Sequence, residues 1–488
     1  MDDLSLRRAV NATLMPGFEG PELPDWLAAE LADGLGSVCL FATNIVDATQ
    51  VRALTDAIHA ANPAALVATD EEGGDVTRLH HATGSPYPSM AFLGRLDDLA
   101  VTEQVGLGIG AELLAAGIDL NLAPDADVNS NPRNPVIGVR SFGADAELVA
   151  RHVAAYTRGL QAAGTAACAK HFPGHGDTAT DSHLALPTIT LDTATLARRE
   201  LVPFRAAVDA GTMAVMTSHI LVPSIDPALP ATLSAPVLSL LRDDLGFTGA
   251  VVSDALDMAG ASGDGRGIPE AAVLALAAGC DLLCIGTDNT AAQLEEIRAH
   301  VLAAVREGRL PATRLRDAAA RVATLSTALG ALRAHTGRPL GPPAPPRLTA
   351  GGFWLRGPVQ PLTQPVFLRL ESTANIAAGD TVWGVGEHLR AELDRLLPGS
   401  TCASASDLAA VAGILDATAQ RPLVVQGRDL ARVPFLVAAT AMVLQRRPDA
   451  VLVELGWPEL PGAIQIATYG SGRGAATCLI ELLAEGAR

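Results

Sequence analysis

Apolar and polar positions alternate along the first two-thirds of the chain in blocks. Short apolar runs fall at Ala12–Met15, Ser37–Phe41, Leu66–Thr69, Ile118–Leu122, Ala166–Ala169, Ala214–Thr217, Ala250–Val252 and Asp281–Ile285. Each has strand length. The Ala-rich stretches between them, Asp47–Ala61, Thr102–Ala116, Glu147–Ala163, Leu196–Ala210, Ser234–Leu245 and Pro269–Ala278, are long enough for helices. Strands alternating with helices in this way predict a TIM-type (β/α)8 barrel. An open doubly wound sheet shares the alternation, so the pattern alone leaves closure undecided.

The polar residues that follow the runs favour the barrel. The third run ends in Asp70-Glu71-Glu72-Gly73-Gly74 and the fourth in Asn121-Leu122-Ala123-Pro124-Asp125. The fifth continues into Lys170-His171, the sixth into Ser218-His219 and the seventh into Ser253-Asp254. Barrel enzymes assemble their sites from these positions, the C-terminal ends of the strands.

After the eighth run, Ala291–Glu307 and Pro311–Leu332 read as two amphipathic helices. A Pro/Gly-rich stretch from Gly337 to Pro346 then has the composition of a stiff linker. The expected division is therefore a barrel over 1–336, a linker over 337–349 and a second domain over 350–488. In the last part, Thr381–Val385, Leu423–Val425 and Ala450–Glu454 read as strands. Glu387–Leu397, Val433–Gln445 and Arg473–Glu485 read as helices, giving a smaller α/β sandwich. Its Gly470-Ser471-Gly472-Arg473-Gly474 matches neither phosphate-loop fingerprint and reads as close packing at a helix start.

Composition narrows the function. Hydrophobic residues make up 49% of the chain but aromatics only 3%, so small aliphatic side chains fill the cores. A formal charge of −18 opposes nucleic acid and anionic membrane surfaces as partners. No secretory signal or membrane span is legible. The six cysteines lack disulfide or metal spacing and suit a reducing, cytoplasmic setting.

The chemistry concentrates in Lys170-His171-Phe172-Pro173-Gly174-His175-Gly176-Asp177-Thr178-Ala179-Thr180-Asp181-Ser182-His183. The glycines and proline break any helical pairing of the histidines, which opposes a zinc site. With Val251-Val252-Ser253-Asp254-Ala255-Leu256-Asp257-Met258, this stretch resembles glycoside hydrolase family 3, in its β-N-acetylglucosaminidase branch. Asp70–Gly74 with Arg78, Ala123–Asn129 and Ile137–Gly143 agree in order and spacing, so the resemblance spans residues 10–335.

The resemblance implies a retaining mechanism, with Asp254 as nucleophile and His183, oriented by Asp181, as acid/base. Asp254 follows a strand, as a nucleophile at a barrel mouth should, although an Asp there also suits a helix N-cap. Asp257 competes on chemistry alone. A histidine suits proton transfer because its unperturbed pKa of about 6.5 lies near working pH. By the same resemblance Asp70, Arg78, Arg140, Lys170 and His171 bind the sugar, and His219 lines the pocket. Glu71 and Glu72 are read as facing outward or supporting their loop. His175 and Asp177 are read as loop-forming.

The implied activity is exo-acting removal of terminal β-linked GlcNAc from peptidoglycan fragments or chitooligosaccharides, with no cofactor and no metal. The partner is thus a small GlcNAc-containing carbohydrate, and oligomeric state is not set by the sequence. Three alternatives stay open. One is a β-N-acetylglucosaminide phosphorylase, since a neutral histidine does not repel incoming phosphate. The others are a β-glucosidase of the same family and a catalytically silent sugar-binding protein.

Overall fold

A computed structural model describes residues 3–180, 186–263, 265–336, 343–372, 377–458 and 463–487. These fall into two compact units. One comprises residues 1–71, 99–137 and 143–344; the other comprises 72–98, 138–142 and 345–488.

The first unit is the expected barrel. Its strands are β1 (Leu14–Pro16), β2 (Ser37–Leu40), β3 (Leu66–Thr69), β4 (Leu120–Asn121), β5 (Ala166–Phe172), β6 (Ala214–Thr217), β7 (Ala250–Val252) and β8 (Leu283–Gly286). β2 to β7 pair in chain order and in parallel. A parallel bridge between Val252 and Leu282 carries the order to β8, which pairs in parallel with β1. Open doubly wound sheets never bring the last strand back to the first, so the alternative is excluded.

The lumen is filled by alternate strand residues, among them Met15, Cys39, Ala68, Leu120, Cys168, Ala214 and Val252. Most are small, and this explains how a large core forms with so few aromatics. The helix Ala312–Thr336 adds Val322, Leu325 and Leu329 to the same cluster. Its Arg314 bonds Asp281 just before β8 (2.6 Å), and Arg333 bonds Asp119 just before β4 (2.8 Å). That helix therefore seals the N-terminal end of the barrel and leaves the C-terminal end for chemistry.

One expected helix is broken. Leu196–Ala210 divides into Thr193–Arg198 and Leu201–Asp209. Pro203 lacks an N–H, and its ring opposes the carbonyl four residues earlier, so the helix restarts at that point.

The second unit carries a six-stranded sheet of order β11-β10-β12-β13-β14-β9, parallel except at β9. The strands are β9 (Trp354–Leu355), β10 (Val366–Leu370), β11 (Thr401–Ala405), β12 (Leu423–Gly427), β13 (Val451–Glu454) and β14 (Ile466–Ala467). Helices Arg390–Leu396 and Arg473–Glu485 cover one face, while Leu408–Ala417 and Pro434–Arg446 cover the other. This is an α/β sandwich, with one correction. Thr381–Val385 is no strand: Gly384 N–H donates to the Ser471 carbonyl (2.7 Å) and Val385 N–H to the Gln426 side chain (2.8 Å). Residues 470–474 lead into the last helix, as expected. A Cβ on Gly474 would lie 2.4 Å from the Pro86 carbonyl, so close backbone packing explains that glycine.

Among the described residues no helix is long and apolar enough to cross a membrane. The six cysteines are free thiols, all buried but Cys402.

Candidate active site

The strands deliver their polar residues to the C-terminal mouth. Lys170, at the end of β5 and almost fully buried, donates to Asp70 at the end of β3 (2.6 Å). Beside it, His171 Nδ1 meets Asp127 Oδ2 at 2.7 Å. The other Asp127 oxygen accepts the backbone N–H groups of His171 (3.3 Å) and His175 (2.5 Å). Burial alone would raise the Asp127 carboxyl, but the charge and hydrogen bond of His171 and the charge of His175 hold it below the usual range. Asp127 in turn fixes one nitrogen of His171 and leaves Nε2 as the ring's other donor or acceptor site.

Sequence reasoning passed over Asp127, although the Asp-x-Asp pair after the fourth run was the available signal. With Asp125 and His171 it forms a cluster whose donor atoms lie within 4.8 Å of one another. That cluster does not suit a metal. Bonds of about 2.0–2.2 Å to one ion would hold tetrahedral ligand atoms more than about 3 Å apart. The 2.7 Å His171–Asp127 contact has room for a proton only.

Asp254 follows β7 and is half-buried. Its Oδ1 accepts the N–H of Ala255 (2.8 Å). It caps no helix, since the next one begins at Ala259 with Met258 before it. Asp257 turns away to the loop after β8, where it accepts the N–H of Thr287 (3.3 Å). The charge of Asp254 is felt both by the buried Cys168 thiol, together with those of Lys170 and Asp70, and by His175. These groups therefore converge on one region of the mouth.

His219, after β6, is fully buried. Its Nε2 contacts the Ala255 carbonyl and its Nδ1 the Thr232 hydroxyl, both at 2.9 Å. A carbonyl only accepts, so Nε2 carries the proton. This histidine ties down the residue next to Asp254.

The loop after β5 is bolted to the loop after β4. The His175 carbonyl accepts from Asn134 Nδ2 (2.8 Å) and its Nδ1 meets Thr178 Oγ1 (2.7 Å). A Cβ on Gly176 would lie 1.8 Å from the Val128 carbonyl, so only glycine fits there. Asp177 pairs with Arg199 (2.6 Å), which also holds the buried Glu200 (2.6 Å). These contacts agree with the loop-forming roles read for His175 and Asp177. Asp181 and His183 lie outside the described residues.

Burial pushes the His175 pKa down to about 4. In the unfolded chain the ring takes its proton near pH 6.5, whereas in the fold it resists until about 4. Acidification through that window favours unfolding, by up to about 3 kcal/mol. His175→Gln is expected to flatten the fall in Tm between pH 6.5 and 4 relative to the wild type. Thermal melts across that range measure it, and parallel slopes would contradict the assignment.

Arg78 and Arg140 belong to the second unit. Arg140 makes a buried bidentate pair with Glu72, at 2.9 and 2.7 Å. Arg78 Nη2 donates to the Ala377 carbonyl (2.9 Å). Glu71 and Glu72 are both buried, so neither faces outward. Glu72 supports its loop through Arg140.

Comparison with known proteins gives the family. Residues 22–325 match the model for the glycosyl hydrolase family 3 N terminal domain. Beta-hexosaminidase A of Pseudoalteromonas piscicida is 35% identical over 346 residues, which span 65% of this chain and 58% of that protein's length. A glycoside hydrolase family 3 β-N-acetylglucosaminidase from Paenibacillus sp. FPU-7 is 32% identical, with a TM-score of 0.85 over 98% of this chain and 96% of that one. NagZ from Neisseria gonorrhoeae, solved with N-trifluoroacetyl-D-glucosamine, is 32% identical, with a TM-score of 0.52 over 64% and 98% of the two chains. With more than half its length matched by the family model, and the matched region closing into the barrel that holds these groups, the chain belongs to glycosyl hydrolase family 3.

Proposed function

We propose that the protein is an exo-acting, retaining β-N-acetylglucosaminidase. The observation that carries this reading is Asp254, a half-buried carboxylate at the end of β7 that caps no helix and shares the mouth with the Lys170–Asp70 pair. A retaining glycosidase needs one carboxylate to attack the anomeric carbon and a second group to move a proton. Asp254 takes the first role. His183, eleven residues after β5 in the sequence, takes the second, with Asp181 holding its tautomer.

In the first step His183 gives its proton to the glycosidic oxygen as Asp254 bonds to the anomeric carbon and the leaving alcohol departs. In the second, His183 removes a proton from water, which displaces Asp254 and frees the sugar. Asp70, Lys170 and His171 bind the sugar hydroxyls: the carboxylate accepts, the ammonium donates, and His171 is locked in place by Asp127. His219 contributes by fixing Ala255, beside the nucleophile. Sugar binding by Arg78 and Arg140 rests on the resemblance of their segments.

The GlcNAc preference is supported by the relatives named as β-hexosaminidase and β-N-acetylglucosaminidase, and by the N-acylated glucosamine analogue bound in one of them. Buried free thiols fit a cytoplasmic enzyme acting on peptidoglycan fragments or chitooligosaccharides. The test compares rates on aryl β-GlcNAc and aryl β-glucoside, with and without phosphate. Free GlcNAc is expected as the product, with the glucoside at least about tenfold slower. A preference for the glucoside, or GlcNAc-1-phosphate accumulating in phosphate buffer, would replace this reading with one of its alternatives.

A further inference from the structure

The second unit contains a hollow of about 630 Å³ that the chemistry above does not use. Its position follows from the strand order. β10, the first parallel strand, lies between β11 and β12. The connection after β10 packs on one face of the sheet through Trp383, Val385 and Leu389. The one after β12 packs on the other through Leu430 and Leu436. The two loops part at the carboxyl ends of β10 and β12, and open α/β sheets bind ligands in the crevice so formed. Arg369, Glu371, Trp383, His388, Ser404 and Arg428 are among the lining residues, and the volume is that of a small-molecule site.

Two guanidinium groups lie over one indole in this hollow. The Cζ atoms of Arg428 and Arg369 are 4.3 and 4.8 Å from the centre of the Trp383 ring. Arg369 is paired with Glu371 (2.8 Å) and donates to the Trp383 carbonyl (3.2 Å). Arg428 differs. Among the described residues it has no hydrogen-bond acceptor and no ion pair; it is half-buried, with the charges of Asp75, Asp429 and Glu371 acting on it from beyond ion-pair distance. Its backbone does not wander: Glu454 accepts the N–H groups of Asp429, Leu430 and Gly456 at 2.7–2.8 Å. Stacking on an indole does not replace hydrogen bonds to five N–H donors. No described residue takes them, which leaves them to water in the hollow or to an arriving acceptor.

We propose that this hollow binds a small oxyanion-bearing sugar, a sugar phosphate or a sugar acid, whose anionic group is taken by Arg428. Asp380 and Glu387, exposed carboxylates of the same lining, accept its hydroxyls. A guanidinium seated over an indole keeps a planar fork of N–H donors, which pairs with carboxylate or phosphate.

Isothermal titration of the full chain with glucose 6-phosphate, glucuronate and glucose tests this. At least one anion is expected to bind while glucose does not, and the stronger of the two identifies the anionic group. Arg428→Gln should weaken binding about tenfold or more. Ser404→Asp places a like charge at an exposed position of the hollow and should abolish binding without disturbing the fold, so it decides the matter even if Arg428→Gln is unstable. Absence of heat with both anions at millimolar concentration would overturn the proposal. So would undiminished binding by the folded variants.

Discussion

Asp254→Ala is expected to lower kcat on an aryl β-GlcNAc by about 10⁴-fold or more, the scale seen when a covalent nucleophile is removed. The loss should be confined to chemistry. Asp254 caps no helix and lies half-buried at a loop, so Tm should shift by no more than a few degrees. The alanine also leaves a gap on the face of the sugar from which the carboxylate attacked. Azide entering there should restore turnover and yield a glycosyl azide of inverted configuration, which identifies the missing group as the nucleophile. The comparison variant is Asp257→Ala. Its carboxylate is turned toward Thr287 and should matter far less. If the two variants lost activity equally, or if Asp254→Ala retained more than about a tenth of it, the assignment would be wrong.

The second large effect belongs to His183. Removing a general acid costs about 10²–10⁴-fold, but only where the leaving group needs a proton. His183→Ala should therefore be severely slow on a natural disaccharide and much less impaired on a nitrophenyl glycoside in forming the glycosyl–enzyme. The basic limb of its pH–rate profile should disappear. Asp181→Asn is the finer probe. Losing the carboxylate lowers the basicity of the imidazole, so that limb should move to lower pH rather than vanish. Stopped-flow measurements over pH with two leaving groups separate these outcomes. An unchanged profile in the His183 variant would assign the proton transfer elsewhere.

Much of the barrel was legible because its strands are buried. Leu66–Thr69, Ala214–Thr217 and Ala250–Val252 stand where the apolar runs predicted, since a strand covered on both faces has no solvent side to interrupt the run. The second sheet was harder. β10 reads Val-Phe-Leu-Arg-Leu, its hydrophobic run broken by the Arg369 that lines the hollow. β11 reads Thr-Cys-Ala-Ser-Ala, small and largely uncovered. Neither has the pattern of a buried strand. Thr381–Val385 has the better strand composition, yet its backbone partners are a loop carbonyl and the Gln426 side chain.

The site divides in the same way. A candidate nucleophile at a strand end and a histidine-rich stretch are local chemistry, visible in the order of residues. Asp127 and His219 are not. Asp127 looks like one more loop carboxylate until β4 and β5 lie side by side and its two oxygens meet the His171 ring and two backbone N–H groups. His219 looks like a ligand for sugar until the fold occupies both its nitrogens.

The linear chain was thus sufficient for the barrel, for the family and for the candidate reacting groups, because each depends on residue type and spacing along one segment. It could not show that 72–98 and 138–142 pack with the last third of the chain. Nor could it show that Arg428 comes to rest over Trp383 with its donors unanswered by any described residue. Those outcomes depend on which distant segments meet. Contacts between distant residues are chosen by the packing of the whole fold, and no local pattern records them.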